Sequence, residues 1–437
     1  MTRILAKELK SKIGETVSVD GWLHKKRLLG GLNFITLRDR SGLIQTLIDN
    51  KDELEKLRGL QVGTVLKLTG MVVADERAPG GAEMHDVSIE VIVPVTDESP
   101  IEIDKPLSHQ PENLDTLFDN RVIGLRNISE SNIFKIQAAV KESARQYLHS
   151  LEFIEFNSPK LLPSATEGGA EVFKLDYFGK EATLAQSAQF YKQIMVGVFE
   201  RAYEINPTYR AELSATTRHM TEFIHIDAEV GFVDFQELLK IVGDLLKSIN
   251  TNVWQSHKFE LTKLNATPSK LSDDIPQLKL SEVHELYSKA TGQNSVGEKD
   301  LRPDEERWIT EYSKKNLASE AVFVTHWPAD EMKFYHRKSA DNPEIAERAD
   351  LIFRGVEIAT ISMRENRYEV LLQQLQEIAG GDPTTDGFKY YLQAFKYGLP
   401  AHGGFGMGLE RLTQKIIGLS NVKEATLFPR DINRLTP

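Results

Sequence analysis

YRAELSATTRHMTEF, residues 209–223, sets Arg210, Arg218 and His219 among two acids, Glu212 and Glu222. Far along the chain, GGFGMGLER, residues 403–411, ends a glycine-rich bend on Glu410 and Arg411. Guanidinium groups are rigid forks of donors that grip phosphate oxygens at two points. The two runs therefore read as halves of one nucleotide site. No GxxxxGK[ST] run occurs in the chain, so a P-loop backbone cradle is excluded. Side chains from separate elements must hold the phosphates.

Outward from these runs, the whole chain sets further bounds. Its 437 residues exceed one ordinary core, so two or more domains are expected. Hydrophobic content of 41% and charged content of 27% are those of a soluble globular protein. A net charge of −11 argues against a body coated with basic surface, while allowing one local basic patch. With no cysteine, disulfides, thiolate metal sites and a cysteine nucleophile are excluded. No apolar run is long enough to span a membrane, and MTRILAKELK at the start lacks a secretion signal's apolar stretch. The cytosol is the expected location, with no membrane partner.

The first hundred residues read as β-rich. Val17 and Val19 alternate, FITLRD (34–39) and 43–48 are short strands, 65–73 is another, and Val87, Ile89, Val91, Val93 and Val95 alternate cleanly. Five such strands, with a helix over 51–60 between the third and fourth, suit a closed OB-type barrel; another β-sandwich gives similar periodicity. Pro94, Pro100, Pro106 and Pro111 punctuate a linker. Ser131 is placed as the cap of a helix with the apolar stripe Ile133, Ile136, Val140, Ala144 and Tyr147. Residues 235–246 read as an amphipathic helix, and 322–325 and 351–360 as strands. Regular βαβ alternation is missing, so the fold class is α+β, an antiparallel sheet with helices packed on it.

Read together, these runs resemble the three motifs of class II aminoacyl-tRNA synthetases, in the aspartate/asparagine/lysine subgroup IIb. FIEFNSPKL (153–161) resembles motif 1, 209–223 motif 2 and 403–411 motif 3, and the ending FPRDINRLTP (428–437) is similar to the subgroup's C-terminus. Within the subgroup the chain is most similar to archaeal-type aspartyl-tRNA synthetases. The resemblance covers nearly the whole length. It implies an OB-fold anticodon-binding domain over 1–100, a hinge over 101–128 and a class II catalytic domain over 129–437. Homodimers are implied too, with Pro159 at the interface, although Glu152 stands where the family usually has glycine.

The resemblance implies site roles residue by residue. Arg210 grips the ATP α-phosphate and Arg411 the γ-phosphate of a bent ATP, so both are catalytic. Glu212, Arg218 and His219 complete the ATP site and Phe223 stacks on adenine. Glu357 and Thr360, in GVEIAT, coordinate Mg2+; Glu357 counts as catalytic as well. A spacing of three along a regular strand puts those two side chains on opposite faces, which is a tension in that assignment. For L-aspartate, Ser187 and Gln189 in QSAQFYKQ meet the α-amino and main-chain groups. Lys192 and Arg364 read the side-chain carboxylate, a buried cationic pair that neutral asparagine would leave uncompensated. Glu167 or Glu171, in SATEGGAEVF, contacts the α-ammonium, and Asp227 lies in the same pocket. The family commonly has EI-x-[ST]-G-x-QRIH where this chain reads EIATISMREN, with Ile361, Met363 and Glu365-Asn366 as departures. Ile361 is expected to add bulk near the pocket and Glu365 negative charge.

For tRNA, Phe34 matches the ring that stacks on the central anticodon base, Gln45 the reader of its edge, and Arg27 a backbone or base contact. Lys25 and Lys26 add positive charge for phosphate. Relatives that charge only tRNA(Asp) tend to carry tryptophan and lysine where this chain has His24 and Pro79. Relatives that also charge tRNA(Asn) tend to carry histidine and proline. The second set implies relaxed tRNA specificity and an amidotransferase partner that converts Asp-tRNA(Asn). Two other readings stay open: a paralogue that activates or forms asparagine, and a non-catalytic tRNA-binding protein.

Overall fold

Alternation of apolar and polar residues builds the first unit. In the computed structural model, which describes residues 3–28, 32–109, 113–165 and 171–437, β1 (Thr16–Leu28), β2 (Asn33–Arg38), β3 (Leu43–Ile48), β4 (Val65–Ala74) and β5 (Ala82–Val93) form a closed barrel in the order β1-β2-β3-β5-β4. Parallel pairing of β3 with β5 closes it. Inward residues such as Val19, Leu23, Ile35, Leu37 and Leu68 fill the core. Helix Lys51–Arg58 sits between β3 and β4, and the Asn50 side chain accepts from the amides of Asp52 and Glu53. The barrel is the expected OB fold.

The chain divides into two compact units, residues 1–131 and 132–436, with Pro437 grouped with the first. The helix expected to start at Ser131 starts earlier, at Ile128, and runs to Ser150. Its cap is Asn127, whose side chain accepts from the Ser129 amide at 2.9 Å. Two short helices, Leu114–Asp119 and Arg121–Gly124, precede it.

The second unit is built on an eight-stranded sheet ordered β12-β13-β14-β15-β16-β11-β10-β6. Its strands are β6 (Ile154–Glu155), β10 (Arg201–Tyr209), β11 (Glu222–Gly231), β12 (Gln277–Lys279), β13 (Ala321–Pro328), β14 (Ile345–Phe353), β15 (Val356–Met363) and β16 (His402–Gly408). All neighbours pair antiparallel except β6 with β10 and β12 with β13. Three short strands, β7 (Leu161–Leu162), β8 (Lys174–Tyr177) and β9 (Lys180–Leu184), form a separate sheet. The single strand read over 351–360 is two strands, because Arg354 (φ 47°) and Gly355 (φ 80°) turn the chain back.

Helix Phe235–Ser256 is ten residues longer than its apolar stripe suggested. A reciprocal capping box fixes its start: Asp234 Oδ1 accepts from the Glu237 amide at 2.8 Å and Glu237 Oε2 from the Asp234 amide at 2.9 Å. Its buried face, Leu238, Val242, Leu245, Leu246 and Ile249, packs in one core with Phe323, Leu351, Ile361, Met363 and Phe405 of the sheet. Burial of one sheet face under this helix leaves the other face for chemistry. No helix among the described residues is long and apolar enough to cross a membrane.

Leu246 is fully buried in this core. Leu246→Ala is expected to lower stability by about 2–5 kcal/mol, read as a drop in the guanidinium unfolding midpoint. A loss under about 0.5 kcal/mol, the scale of a surface change, would contradict the placement of the core.

Candidate active site

The hairpin of β10 and β11 and the paired strands β15 and β16 line a cavity of about 400 Å³. Arg210 follows β10, and its amide donates to the Thr221 carbonyl at 2.9 Å, so the run 209–223 is the far end of the β10–β11 hairpin. Arg210, Glu212, Arg218, His219 and Phe223 all line the cavity. Arg411 reaches it from helix Leu409–Ile417, which starts where β16 ends. The two runs meet because β11 and β16 pair antiparallel, with His225 opposite Gly408.

At this end each cation has a neighbour. The Arg210 guanidinium lies 5.5 Å from the Phe223 ring centroid. Arg411 Nη1 donates to the Glu357 carbonyl at 3.0 Å and lies 3.4 Å from Glu357 Oε2. Arg218 pairs with Glu306. Burial, and then Arg411, hold the His219 imidazole below its ordinary pKa.

The tension at Glu357 and Thr360 is resolved by a β-bulge. Glu357 opposes Ile352 and Ala359 opposes Leu351, so Ile358 is an extra residue on β15. The bulge returns both side chains to one face, where Thr360 Oγ1 donates to Glu357 Oε1 at 2.8 Å. Asp350, across the ladder from Thr360, adds a second carboxylate. Burial lifts the Asp350 carboxyl to about 7, with Arg348 opposing and the Glu357 charge adding. Glu357 is held below its ordinary value against burial, chiefly by Arg411 and the Thr360 hydroxyl. Two carboxyls, each facing one arginine, and a hydroxyl form an oxygen donor set that suits a hard divalent cation. Among the described residues no three acidic or imidazole side chains converge as a metal site, so phosphate and water oxygens would complete the shell.

The other end of the cavity is a buried charge cluster. Ser187 and the first turn of helix Gln189–Phe199 put Ser187, Gln189 and Lys192 on its wall. Lys192, only 2% exposed, donates through Nζ to Asp227 Oδ1 at 2.8 Å and to the Phe405 carbonyl at 2.9 Å. Arg364 clasps Glu229 with two bonds, Nε to Oε1 at 2.7 Å and Nη2 to Oε2 at 3.0 Å. Lys192 also lies 3.8 Å from Glu229. Lys192 and His225 outweigh burial and keep the Asp227 carboxyl well below its ordinary range. The cationic pair expected to be bare is therefore already compensated by Asp227 and Glu229, a correction to the charge argument for aspartate.

The glycines of β16 follow from this cluster. Gly404 faces Glu229 and Gly406 faces Asp227. A Cβ would come within 2.0 Å of Glu229 Oε2 at the first and 3.1 Å of Asp227 Oδ1 at the second.

The departures in EIATISMREN fall mostly away from the cavity. Ile361 and Met363 point into the core under the sheet, so Ile361 adds no bulk to the pocket. Glu365 is buried but pairs with Arg367 and is not on the cavity wall, which corrects its expected contribution of negative charge there. Arg364 and Thr360 keep the cavity face.

Glu171 is exposed and does not line the cavity; its carbonyl accepts from the Ala211 amide at 3.0 Å. Glu167 lies outside the described residues. In the barrel, Phe34 is half-buried on the outer face, with Ile35 and Leu37 facing inward. Gln45 donates to Glu83 Oε2 at 2.7 Å, and Glu83 Oε1 lies 2.7 Å from His85 Nε2. Arg27 is exposed, His24 half-buried and Pro79 exposed. Lys26 is engaged by the last carbonyls of helix Lys51–Arg58, 3.2 Å from that of Leu57, so it caps that helix.

Sequence reasoning missed His225, Arg348 and His336 on the cavity wall, and Glu229, Asp350 and Glu306, which bond to Arg364, Arg348 and Arg218 of that wall. For Glu229 a signal existed: in HIDAE it stands two residues from Asp227 and so shares its strand face. Glu306, on a distant helix, had none.

Residues 113–432 match the family model "tRNA synthetases class II (D, K and N)", and residues 17–94 match "OB-fold nucleic acid binding domain". An aspartate–tRNA(Asp/Asn) ligase of Thermus thermophilus is 40% identical over 439 residues, covering 100% of both chains. One from Methanopyrus kandleri is 38% identical, covering 97% of this chain and 96% of the relative. A crystal structure of asparaginyl-tRNA synthetase from Pyrococcus horikoshii with asparaginyl-adenylate superposes with a TM-score of 0.91 at 31% identity, over 100% of both chains.

Glu410, beside Arg411 on the cavity wall, tests the buried electrostatics. Burial pushes its carboxyl from 4.5 up to about 7, although both its oxygens accept from the Ile224 amide. The folded chain thus holds this proton more tightly than the unfolded chain. Its stabilising share is full below about pH 4.5 and is lost as pH rises through about 7. Glu410→Gln keeps an acceptor and removes the titration. The variant is expected to gain on the parent by roughly 3 kcal/mol between pH 4.5 and 8, from about 1.36 kcal/mol per pH unit. Parallel unfolding curves of the two proteins over that range would refute the assignment.

Proposed function

Because the chain belongs to the class II tRNA synthetases of the D, K and N type, we propose that it uses ATP to activate L-aspartate and transfers the aspartyl group to the 3′ end of tRNA(Asp) and of tRNA(Asn). The observation that carries this reading is the meeting of Arg210 and Arg411 with Lys192 and Arg364 around one cavity. Retention of all four also speaks against a non-catalytic tRNA-binding body.

In the first step an oxygen of the aspartate α-carboxylate attacks the α-phosphorus of ATP, and pyrophosphate leaves. In the second, the terminal ribose 3′-hydroxyl takes the aspartyl group and AMP leaves. Attack by an ionised carboxylate needs no protein base, so positioning and charge neutralisation supply the catalysis. Arg210 holds the α-phosphate, and Arg411, Arg218 and His219 hold the rest of a bent triphosphate. Phe223 stacks on adenine, with Glu212 at the rim. Magnesium, when bound with ATP, offsets triphosphate charge; Glu357 and Thr360, with Asp350 opposite, are the residues that would hold it.

Lys192 has three donors, of which two are taken by Asp227 and the Phe405 carbonyl. The third, with Arg364, meets the guest's side-chain carboxylate. Ser187, Gln189 and Asp227 address its α-amino and main-chain groups. Asp227 and Glu229 are the observation that favours a second reading, asparagine activation, because acids accept from an amide NH2. Pyrophosphate exchange with aspartate against asparagine separates the two.

Arg27, Phe34 and Gln45 would read the anticodon from the OB domain, 1–100, with 101–128 as hinge and 129–437 catalytic. His24 and Pro79 support relaxed tRNA specificity, which implies an amidotransferase partner. Pro159 marks a homodimer interface, and the cytoplasm is the site of action.

Arg210→Ala is expected to cut aspartate-dependent pyrophosphate exchange by about 10²–10³-fold with unfolding unchanged; full exchange would remove Arg210 from the α-phosphate. Labelled aspartate should charge both tRNA(Asp) and tRNA(Asn) transcripts. Charging of tRNA(Asp) alone would overturn the relaxed specificity and leave the aspartate reading intact.

A further inference from the structure

Arg218 and Glu306 come from parts of the chain 88 residues apart. Glu306 belongs to helix Pro303–Asn316, outside both runs that carry the nucleotide reading. One oxygen, Oε2, does two jobs: it takes Nη2 of Arg218 and accepts from the Glu357 amide at 2.9 Å. The pair is secluded, with the Glu306 side chain 9% and the Arg218 side chain 18% exposed. A single carboxylate oxygen therefore ties the hairpin loop to the start of β15. Arg411 joins the same knot, with Nη2 3.5 Å from the Arg218 carbonyl.

We propose that Glu306 is a positioning residue: a counter-anion that holds Arg218 while the nucleotide site is empty and yields it to the triphosphate. The inference rests on the reading of Arg218 as a phosphate ligand. Two physical consequences follow. A guanidinium in a partly buried pair is weakly screened, so the pair opposes transfer of Arg218 to another anion. Once ATP is seated, Glu306 stands as a negative charge beside the phosphates. Both effects weaken nucleotide binding. In return, the tether keeps a long side chain on one rotamer and keeps the cavity from holding an unpaired buried cation.

Glu306→Gln separates charge from shape, because the amide oxygen still accepts from the Glu357 N–H. Pyrophosphate exchange is measured with ATP and magnesium for the parent, E306Q, R218A and the double variant. E306Q is expected to lower KM for ATP by about fivefold, the scale of one partly exposed ion pair. KM for aspartate should stay unchanged and kcat should not rise. R218A should raise KM for ATP, and on that background E306Q should gain less than twofold. A general structural role for Glu306 would move both KM values together. If R218A raises KM for ATP while E306Q leaves it unchanged or raises it, the counter-anion is overturned and the Arg218 reading survives. If R218A leaves KM for ATP unchanged, the Arg218 reading itself fails and the proposal with it. Should E306Q not fold, E306D keeps the charge but shortens the reach, and is expected to give a smaller decrease; no decrease overturns the proposal.

Discussion

Four buried charges dictate much of the catalytic unit. Lys192 and Arg364 come from different elements, and Asp227 and Glu229 project from one face of β11 between them. A lone buried ion is expensive, and its pair is tolerable only when geometry and hydrogen bonding are nearly complete. Here they are: a two-bond clasp on Arg364, and a carboxylate and a carbonyl on Lys192. The cluster then constrains its neighbours. β16 must carry glycine opposite Glu229, whose carboxylate occupies the space a Cβ needs, and is tight against Asp227 at Gly406. The glycine-rich run that first suggested phosphate binding is thus also a consequence of packing against acids.

This bears on how much was legible in the chain. The barrel was legible because half-buried antiparallel strands alternate with a period of two. The end at Arg210 and Arg411 was legible because both runs resemble motifs of one family, whose model matches residues 113–432. Pairing of β11 with β16 then makes the remote runs neighbours. Distance along the sequence was no obstacle where each run announced its own chemistry.

What failed to read was register. A one-residue shift reverses every side chain of a strand. The bulge at Ile358 does this between Glu357 and Thr360, and no residue type there marks it. The same reversal explains the departures: Ile361 and Met363 alternate with Thr360, Ser362 and Arg364, so unusual residues at those places fill the core and spare the cavity. A substitution near a motif in sequence is not thereby near the site. Lys26 misled for a related reason. Its charge suits phosphate, but its reach lets it cap a helix in the same barrel.

Glu306 and Glu357 bring out a further constraint. A site that must bind a highly charged guest has to keep several cations together before the guest arrives. Like charges at close range repel and resist burial. The arrangement meets this by lending two of the site's arginines an internal anion: Glu357 for Arg411 and Glu306 for Arg218. Such partners preorganise the cations, which favours the transition state, while reducing the free energy of ground-state binding. The Lys192–Arg364 end follows the same logic in a more rigid form, since its acids sit on the interior strand β11 and Arg364 is only 3% exposed. The two ends therefore divide the work. Under the proposed function, the fixed pairs would define the guest and the pairs proposed to exchange partners would admit the nucleotide.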